Sequence, residues 1–294
     1  MICSVMATHM RIVIIIILLS VGRGFLDPCN ILRVDIDSIE GRYLLENFPD
    51  EPVIFIGDHD RNAALQDLGS KQNLMSNHGS TMVTLTSSNT YSDGLYQMSL
   101  FSYLESFNGN QSLQANESLY LFGNNYEGIF REMASSYVIP PCRHCDVAGA
   151  RTVGLGDNHS GVSFHFHGPG FSEAIIGKKM WFLYPPEVKS PPGHHPNRTV
   201  AKWFTDVYPM VRNKMHSTTN IDGSGDLNPF NSGDEDFNSS QITNSSSSTF
   251  PQLYECTIEP GEMLYFPAMW MHATLNLDDY NLFVSLFLDP QLMK

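Results

Sequence analysis

The sequence predicts a mainly β protein with a few flanking helices, and three observations carry that reading. Short runs of β-branched and aromatic residues closed by glycine, such as Pro52-Val-Ile-Phe-Ile-Gly57 and Ser118-Leu-Tyr-Leu-Phe-Gly123, have the composition of buried strands. The stretch Gly161-Val-Ser-Phe-His165-Phe-His167 sets two imidazoles two residues apart, and on an extended chain such residues project from one face. A third stretch runs from Glu259-Pro-Gly261 through Pro267 and Trp270 to His272 and Asn276, and it brings another imidazole toward the same point.

Length and charge bound what such a fold can do. The 294 residues, 42% hydrophobic and 11% aromatic, suffice for one sizeable core. With 17 Lys+Arg against 31 Asp+Glu the net charge is −14, which repels phosphate backbones and anionic membrane surfaces. Nucleic acid is therefore not an expected partner.

In chain order, Met10-Arg-Ile-Val-Ile-Ile-Ile-Ile-Leu-Leu-Ser has one basic residue, then an apolar run, then small residues as far as Gly24. It reads as a secretory signal peptide over residues 1–24, because its apolar run falls short of the roughly 20 residues that a bilayer span needs. No span is expected after its removal. Sequons begin at Asn110, Asn116, Asn158, Asn197, Asn238 and Asn244, and in the secretory pathway they are candidate glycosylation sites. Without Cys3, the chain keeps Cys29, Cys142, Cys145 and Cys256, disulfide candidates in an oxidising compartment with three pairings open.

The segment Cys29 to Asp50 shows no clean period and takes no assignment. Pro52–Gly57, Met82–Thr86 and Ser118–Gly123 read as strands, and Ser99–Phe107 has its apolar residues at helical spacing. Residues 25–135 form an N-terminal flanking part and residues 136–294 the core. Within the core, residues 213–250 are dominated by Ser, Asn, Asp and Gly, a composition for a disordered insertion. Asn281–Leu288 is the closing strand. Cys142-Arg-His-Cys145 has no second Cys-x-x-Cys to complete a zinc set, and a structural disulfide is the simpler reading.

The His-x-His followed by Gly177-x-Lys179-x-Trp181-x-Leu-x-Pro, together with Pro-Gly-Glu and Pro267-x-x-Trp270-x-His272-x-x-x-Asn276, resembles the two halves of a JmjC (jumonji C) domain. The resemblance spans about Pro52 to Leu288, and its wording around the first motif is nearest to a branch of the family found in the endoplasmic reticulum lumen. It implies a double-stranded β-helix, the jelly roll of the cupin superfamily. It further implies an Fe(II) site, 2-oxoglutarate as cosubstrate and hydroxylation of a protein side chain, in a protein resident in the lumen or, alternatively, secreted.

Iron in such enzymes sits in a facial triad of two histidines and one carboxylate with open positions. Mapped by the resemblance, His165 and His272 take the two histidine positions, and His167 stands where relatives carry the carboxylate. Three neutral imidazoles leave the charge of the ion uncompensated. Glu173 is the candidate fourth ligand that would restore it, as in cupins that place a Glu shortly after His-x-His. Lys179 resembles the residue that grips the far carboxylate of 2-oxoglutarate, and Asn276 one that lines the same pocket. Val162 occupies the place, three residues before the first ligand, where many relatives carry a hydroxyl donor. Two other readings stand beside this one: a non-catalytic JmjC-fold binding protein, and a cupin-type metalloprotein that does not use 2-oxoglutarate.

Overall fold

The computed structural model describes residues 28–87, 94–107, 119–143, 145–146, 150–219 and 251–289. The signal-peptide assignment, the sequons at Asn110, Asn116, Asn238 and Asn244, and most of the Ser/Asn-rich insertion lie outside them. Thirteen strands are described: β1 (Leu32–Asp35), β2 (Val53–Ile56), β3 (Met82–Ser87), β4 (Leu95–Ser99), β5 (Leu119–Phe122), β6 (Arg151–Gly156), β7 (Gly161–His165), β8 (Gly170–Ile176), β9 (Lys179–Tyr184), β10 (Tyr254–Ile258), β11 (Glu262–Phe266), β12 (Met271–Asn276) and β13 (Asn281–Phe287). The helices are α1 (Ile39–Asn47), α2 (Ala63–Leu68), α3 (Lys71–His78), α4 (Leu100–Glu105), α5 (Ile129–Ser136), α6 (Val200–Asp206) and α7 (Tyr208–Thr219). Ser38, Ser70, Ser99 and Thr199 cap α1, α3, α4 and α6, each side-chain oxygen accepting from a backbone N–H of the first turn.

The strands form a nine-stranded sheet, ordered β1-β2-β11-β8-β13-β6-β5-β3-β4, and a four-stranded sheet, ordered β10-β9-β12-β7. Their inner faces meet in one apolar layer, Trp181, Leu183, Cys256 and Ile258 from the small sheet against Ile54, Ala174, Leu264 and Phe266 from the large one. This is the expected mainly β sandwich, and the predicted strands at Pro52, Met82, Ser118 and Asn281 and the helix within Ser99–Phe107 are all present.

Both sheets are covered on their outer faces too. Met180, Phe182 and Tyr184 alternate with the inward residues of β9 and pack under Val200, Trp203, Val207 and Tyr208 of the α6–α7 region. Every residue of β9 and β12 is consequently buried. The outer face of the large sheet lies under the N-terminal half of the chain: Val34, Leu45 and Phe55 over Phe171 and Tyr265, and Leu65, Leu74 and Leu100 over Val153, Ile175 and Val284. The unassigned segment after Cys29 thus supplies β1 and α1, and β1 pairs in parallel with β2 at the sheet edge. Helix α7 runs to Thr219, into the stretch whose composition reads as insertion.

Two disulfides close among the three pairings: Cys29 with Cys256, and Cys142 with Cys145. The first spans 227 residues and ties the segment entering β1 to β10, whereas the second spans three. Because a cross-link stabilises chiefly by restricting the unfolded chain, the long ring contributes the more.

Candidate metal and carboxylate site

The three motif histidines converge inside the sandwich at one end of the small sheet. His272 on β12 stands directly across from His165 at the end of β7, and opposed residues of antiparallel strands share a face. A register shift between these strands admits an extra residue in β7, which lets Phe164 turn outward onto Trp203 at 4.8 Å while His165 faces inward. Gly161 permits the close approach, since a Cβ there would lie 1.9 Å from the Thr274 carbonyl oxygen. His167 follows β7, and its carbonyl accepts from the Met269 N–H at 2.9 Å, which fastens it to the β11–β12 turn.

One ring nitrogen from each of His165, His167 and His272 lies within 4.8 Å of the others. The Nδ1 atoms are all engaged by backbone carbonyls: His165 with Ser163 O at 2.8 Å, His167 with Gly168 O at 2.7 Å and His272 with Trp270 O at 2.8 Å. A carbonyl can only accept, so each Nδ1 carries the proton and each Nε2 keeps its lone pair. That is the tautomer a metal needs, oriented from outside the ligand shell. Burial pushes the His165 imidazole down to about 4, and lowers His167 as well. His272 is held well below the usual range by burial and by its two neighbours. Three neutral imidazoles at neutral pH suit a divalent transition metal. Phe266, Phe287 and Trp181 wall the cluster, with ring centroids 4.9–5.8 Å from His167 or His272.

Glu173 does not join them. On β8 it alternates with Ala174, which faces the interior, and therefore points outward with Phe171 and Ile175. There its Oε1 accepts from Asn62 Nδ2 at 2.8 Å and its Oε2 from Tyr137 O–H at 2.7 Å, with Arg61 Nε 3.7 Å away. Its placement corrects the fourth-ligand assignment: the two-residue period of the strand sends this carboxylate to the face opposite the histidines. Glu173→Ala is expected to leave metal content unchanged yet cost about 3 kcal/mol of stability, because it strips a buried, partnered charge from Arg61 and Tyr137. Metal analysis and urea unfolding of the same variant check both halves.

At the other end of the small sheet lies a buried cation. Lys179 opens β9 after Gly177, whose φ of +77° makes the tight turn from β8, and it stands opposite Asn276 of β12 on the inner face. It is 3% exposed, donates to Tyr120 O–H at 2.8 Å and to Asn276 Oδ1 at 3.1 Å, and its Nζ lies 4.0 Å from the Phe283 ring centroid. Among the described residues no acidic side chain supports its charge, and burial alone pushes it down to about 7. Lys178, by contrast, is at the surface beside Glu259. Asn276 is fully buried, with Nδ2 on Ser160 Oγ at 3.0 Å, and so acts as a bracket for the lysine.

Tyr120 is the residue that sequence reasoning missed. Burial holds its phenol well above the ordinary range, so it stays neutral, and because it accepts from Lys179 its own proton is free for a ligand. Within Ser118–Gly123 nothing local separates it from a core tyrosine. Only the pairing of β5 with β6 at the far side of the large sheet brings it to Lys179.

Comparison with known proteins agrees with this geometry. Residues 47–293 match the family described as a cupin-like domain. JmjC domain-containing protein 8 of Mus musculus is 35% identical over 240 residues, which cover 81% of this chain and 74% of that protein. The chain belongs to the cupin-like JmjC family. The Homo sapiens protein of the same name is 36% identical over 239 residues, 81% of this chain and 75% of its own length. A more distant JmjC relative, an arginine-specific demethylase of Arabidopsis thaliana (JMJ22), is 25% identical over 182 residues, 55% of this chain and 29% of its own. Within that family fold, His165, His167 and His272 are a group that could hold a metal ion, and Lys179 is a buried cation in the same interior. Of the remaining sequons, Asn197 is exposed, whereas Asn158 is half-buried with Ser160 fully buried behind it.

Proposed function

We propose that this JmjC chain is an Fe(II)- and 2-oxoglutarate-dependent hydroxylase acting on a protein side chain in the lumen of the secretory pathway. One observation carries the reading: a buried ammonium with no acidic partner among the described residues shares the inner face of β9 and β12 with His272, beside which His165 of β7 and His167 complete a group of three metal-competent imidazoles. An unpaired buried cation is expensive, and a ligand carboxylate is what would offset it. A dicarboxylate whose far end meets Lys179 and Tyr120 would extend toward the histidines, which fits 2-oxoglutarate better than a monoacid.

His165, His167 and His272 would hold the iron through their Nε2 atoms, and the metal would supply the activation of dioxygen. The chain's own residues bind and orient. Lys179 and Tyr120 O–H receive the far carboxylate, Asn276 and Ser160 fix the lysine, and the aromatic walls exclude water from the reacting end. The lumenal assignment is supported by the two disulfides and by the charged, sequon-bearing sequence, and no helix among the described residues is long and apolar enough to cross a membrane. A protein substrate agrees with the acidic surface, which disfavours nucleic acid.

The second reading, a carboxylate-binding JmjC scaffold without turnover, rests on the ligand set itself, because among the described residues no carboxylate joins the three histidines. Anaerobic iron-loaded protein separates the two. Addition of 2-oxoglutarate should produce a visible metal-to-ligand charge-transfer band, and admission of oxygen should then yield succinate. A band without succinate favours the scaffold, and no band at all overturns the cosubstrate assignment.

A further inference from the structure

Cys142-Arg-His-Cys145 is a motif that the proposed function leaves unused, and its disulfide sits where it holds little. The chain leading to it is fastened without it. Tyr137 O–H donates to Glu173 at 2.7 Å, Val138 N–H donates to Asn62 Oδ1 at 2.9 Å, and the Val138 carbonyl accepts from Arg61. Within the motif the Cys145 N–H donates to the Cys142 carbonyl at 3.3 Å, and Cys145 is buried with Phe171, Tyr265 and Leu288. Backbone hydrogen bonding and burial thus shape the turn, and a bond across three residues adds little restriction to the unfolded chain.

By thermodynamic reciprocity, the stability that a disulfide gives a fold is the stability that the fold gives the disulfide. The 227-residue link from Cys29 to Cys256 is therefore strongly protected against reduction, whereas Cys142–Cys145 keeps the poise of a short dithiol. Access does not separate the two bonds, since Cys29 and Cys142 are both half-buried and Cys256 and Cys145 both buried. It does set the polarity of the short pair. Cys145 is 2% exposed in an apolar cluster, so an incoming thiolate meets Cys142. Val138, Pro141, Arg143 and Asp146 around the pair are exposed, which leaves it on a surface that a polypeptide can reach.

We infer that Cys142–Cys145 is a thiol–disulfide exchange site that oxidises paired cysteine thiols of a polypeptide, with Cys142 the sulfur attacked and Cys145 the leaving thiol. A client thiolate attacks Cys142 Sγ, the Cys142–Cys145 bond breaks, and Cys145 leaves as a thiolate that takes up a proton. The client's second thiol gives its proton to solvent and attacks the client sulfur of the mixed disulfide. The client disulfide forms, and Cys142 leaves as a thiolate and is protonated in turn. Two electrons have then passed from the client dithiol to the pair, and a disulfide such as oxidised glutathione restores it by the reverse exchange. No histidine of the metal cluster and no residue around Lys179 takes part, so the inference is independent of the 2-oxoglutarate reading.

The test uses the full-length oxidised protein, a synthetic peptide carrying two cysteines, and mass mapping of alkylated thiols. Excess reduced peptide should open Cys142–Cys145 and yield one equivalent of peptide disulfide, with Cys29–Cys256 intact and the circular dichroism unchanged. Reduced glutathione at equal thiol concentration should open the pair more slowly, because its second thiol must arrive from solution. Cys145→Ser, offered the oxidised peptide, should accumulate an adduct on Cys142 at least about tenfold faster than Cys142→Ser accumulates one on the buried Cys145. If Cys142–Cys145 opens only together with Cys29–Cys256, or only on unfolding, the pair is a structural link and the inference is overturned. Equal adduct rates in the two variants overturn the assigned polarity, and equal rates with glutathione overturn the polypeptide as substrate. The wild-type mapping decides the central point even if neither variant folds.

Discussion

Replacing His165 or His272 by alanine is expected to abolish iron binding, whereas His167→Asp is expected to retain it and to raise 2-oxoglutarate consumption. The first half follows from the ligand count. Among the described residues only three groups converge, with nitrogens within 4.8 Å of one another, and Glu173 is committed elsewhere. Removing one of three ligands should cost more than the roughly 10–100-fold that loss of an orienting partner costs. The second half follows from charge. Aspartate at position 167 offsets one unit of the metal's charge and keeps the two-residue spacing from His165, giving the facial triad that oxygen-activating iron commonly uses. Its shorter side chain gives up some reach and the contact between the His167 ring and Phe287 at 4.9 Å, so affinity should fall by about tenfold at most. Metal content after anaerobic loading, followed by succinate formation, measures both. Complete loss of iron in His167→Asp would show that the third imidazole is itself required and that the site is built as a three-histidine centre.

Lys179→Met is expected to eliminate 2-oxoglutarate binding while making the protein more stable. Burial lowers the lysine from its ordinary 10.5 to about 7, so below pH 7 the folded protein bears a protonated, desolvated ammonium that the unfolded chain carries in water at no cost. The unfolded state binds more protons between pH 7 and 10.5, so this group makes stability rise with pH through that window. The penalty at lower pH is on the order of 5 kcal/mol by the size of the shift. Methionine of similar length removes it, and with it the ammonium that faces the site. Affinity for the dicarboxylate should move the other way. Above about pH 7 the lysine must take up a proton to meet the carboxylate, so wild-type binding should weaken by up to about tenfold per pH unit. Calorimetric titrations at about pH 6.5 and about pH 8.5, on either side of the shifted value, read the slope, and chemical unfolding reads the stability. Unchanged affinity in Lys179→Met would remove the lysine from the ligand site.

Much of the centre was legible in the chain before it folded, because the relevant spacing is short and the period of a strand is fixed. Two residues separate His165 from His167 and Lys179 from Trp181, and alternation puts each inward pair on one face with no knowledge of the rest. The strands at Pro52, Met82, Ser118 and Asn281 declared themselves by composition for the same local reason. Tertiary structure alone decided what depends on which strands become neighbours. The period of two says that Glu173 and Ala174 oppose each other, but only the sandwich says which face holds the histidines, and that sent Glu173 to Asn62 and Tyr137. Tyr120 reaches Lys179 because β5 closes against β6, a contact between residues far apart in sequence that leaves no local mark. The segment after Cys29 has no clean period because β1 is an edge strand beside a mostly exposed helix, where little burial imposes a pattern. The cysteine pairing was likewise open until β10 came to lie beside the residues that precede β1. Short-range periodicity is written in each segment, whereas the choice of face and of neighbour is a property of the packed core as a whole.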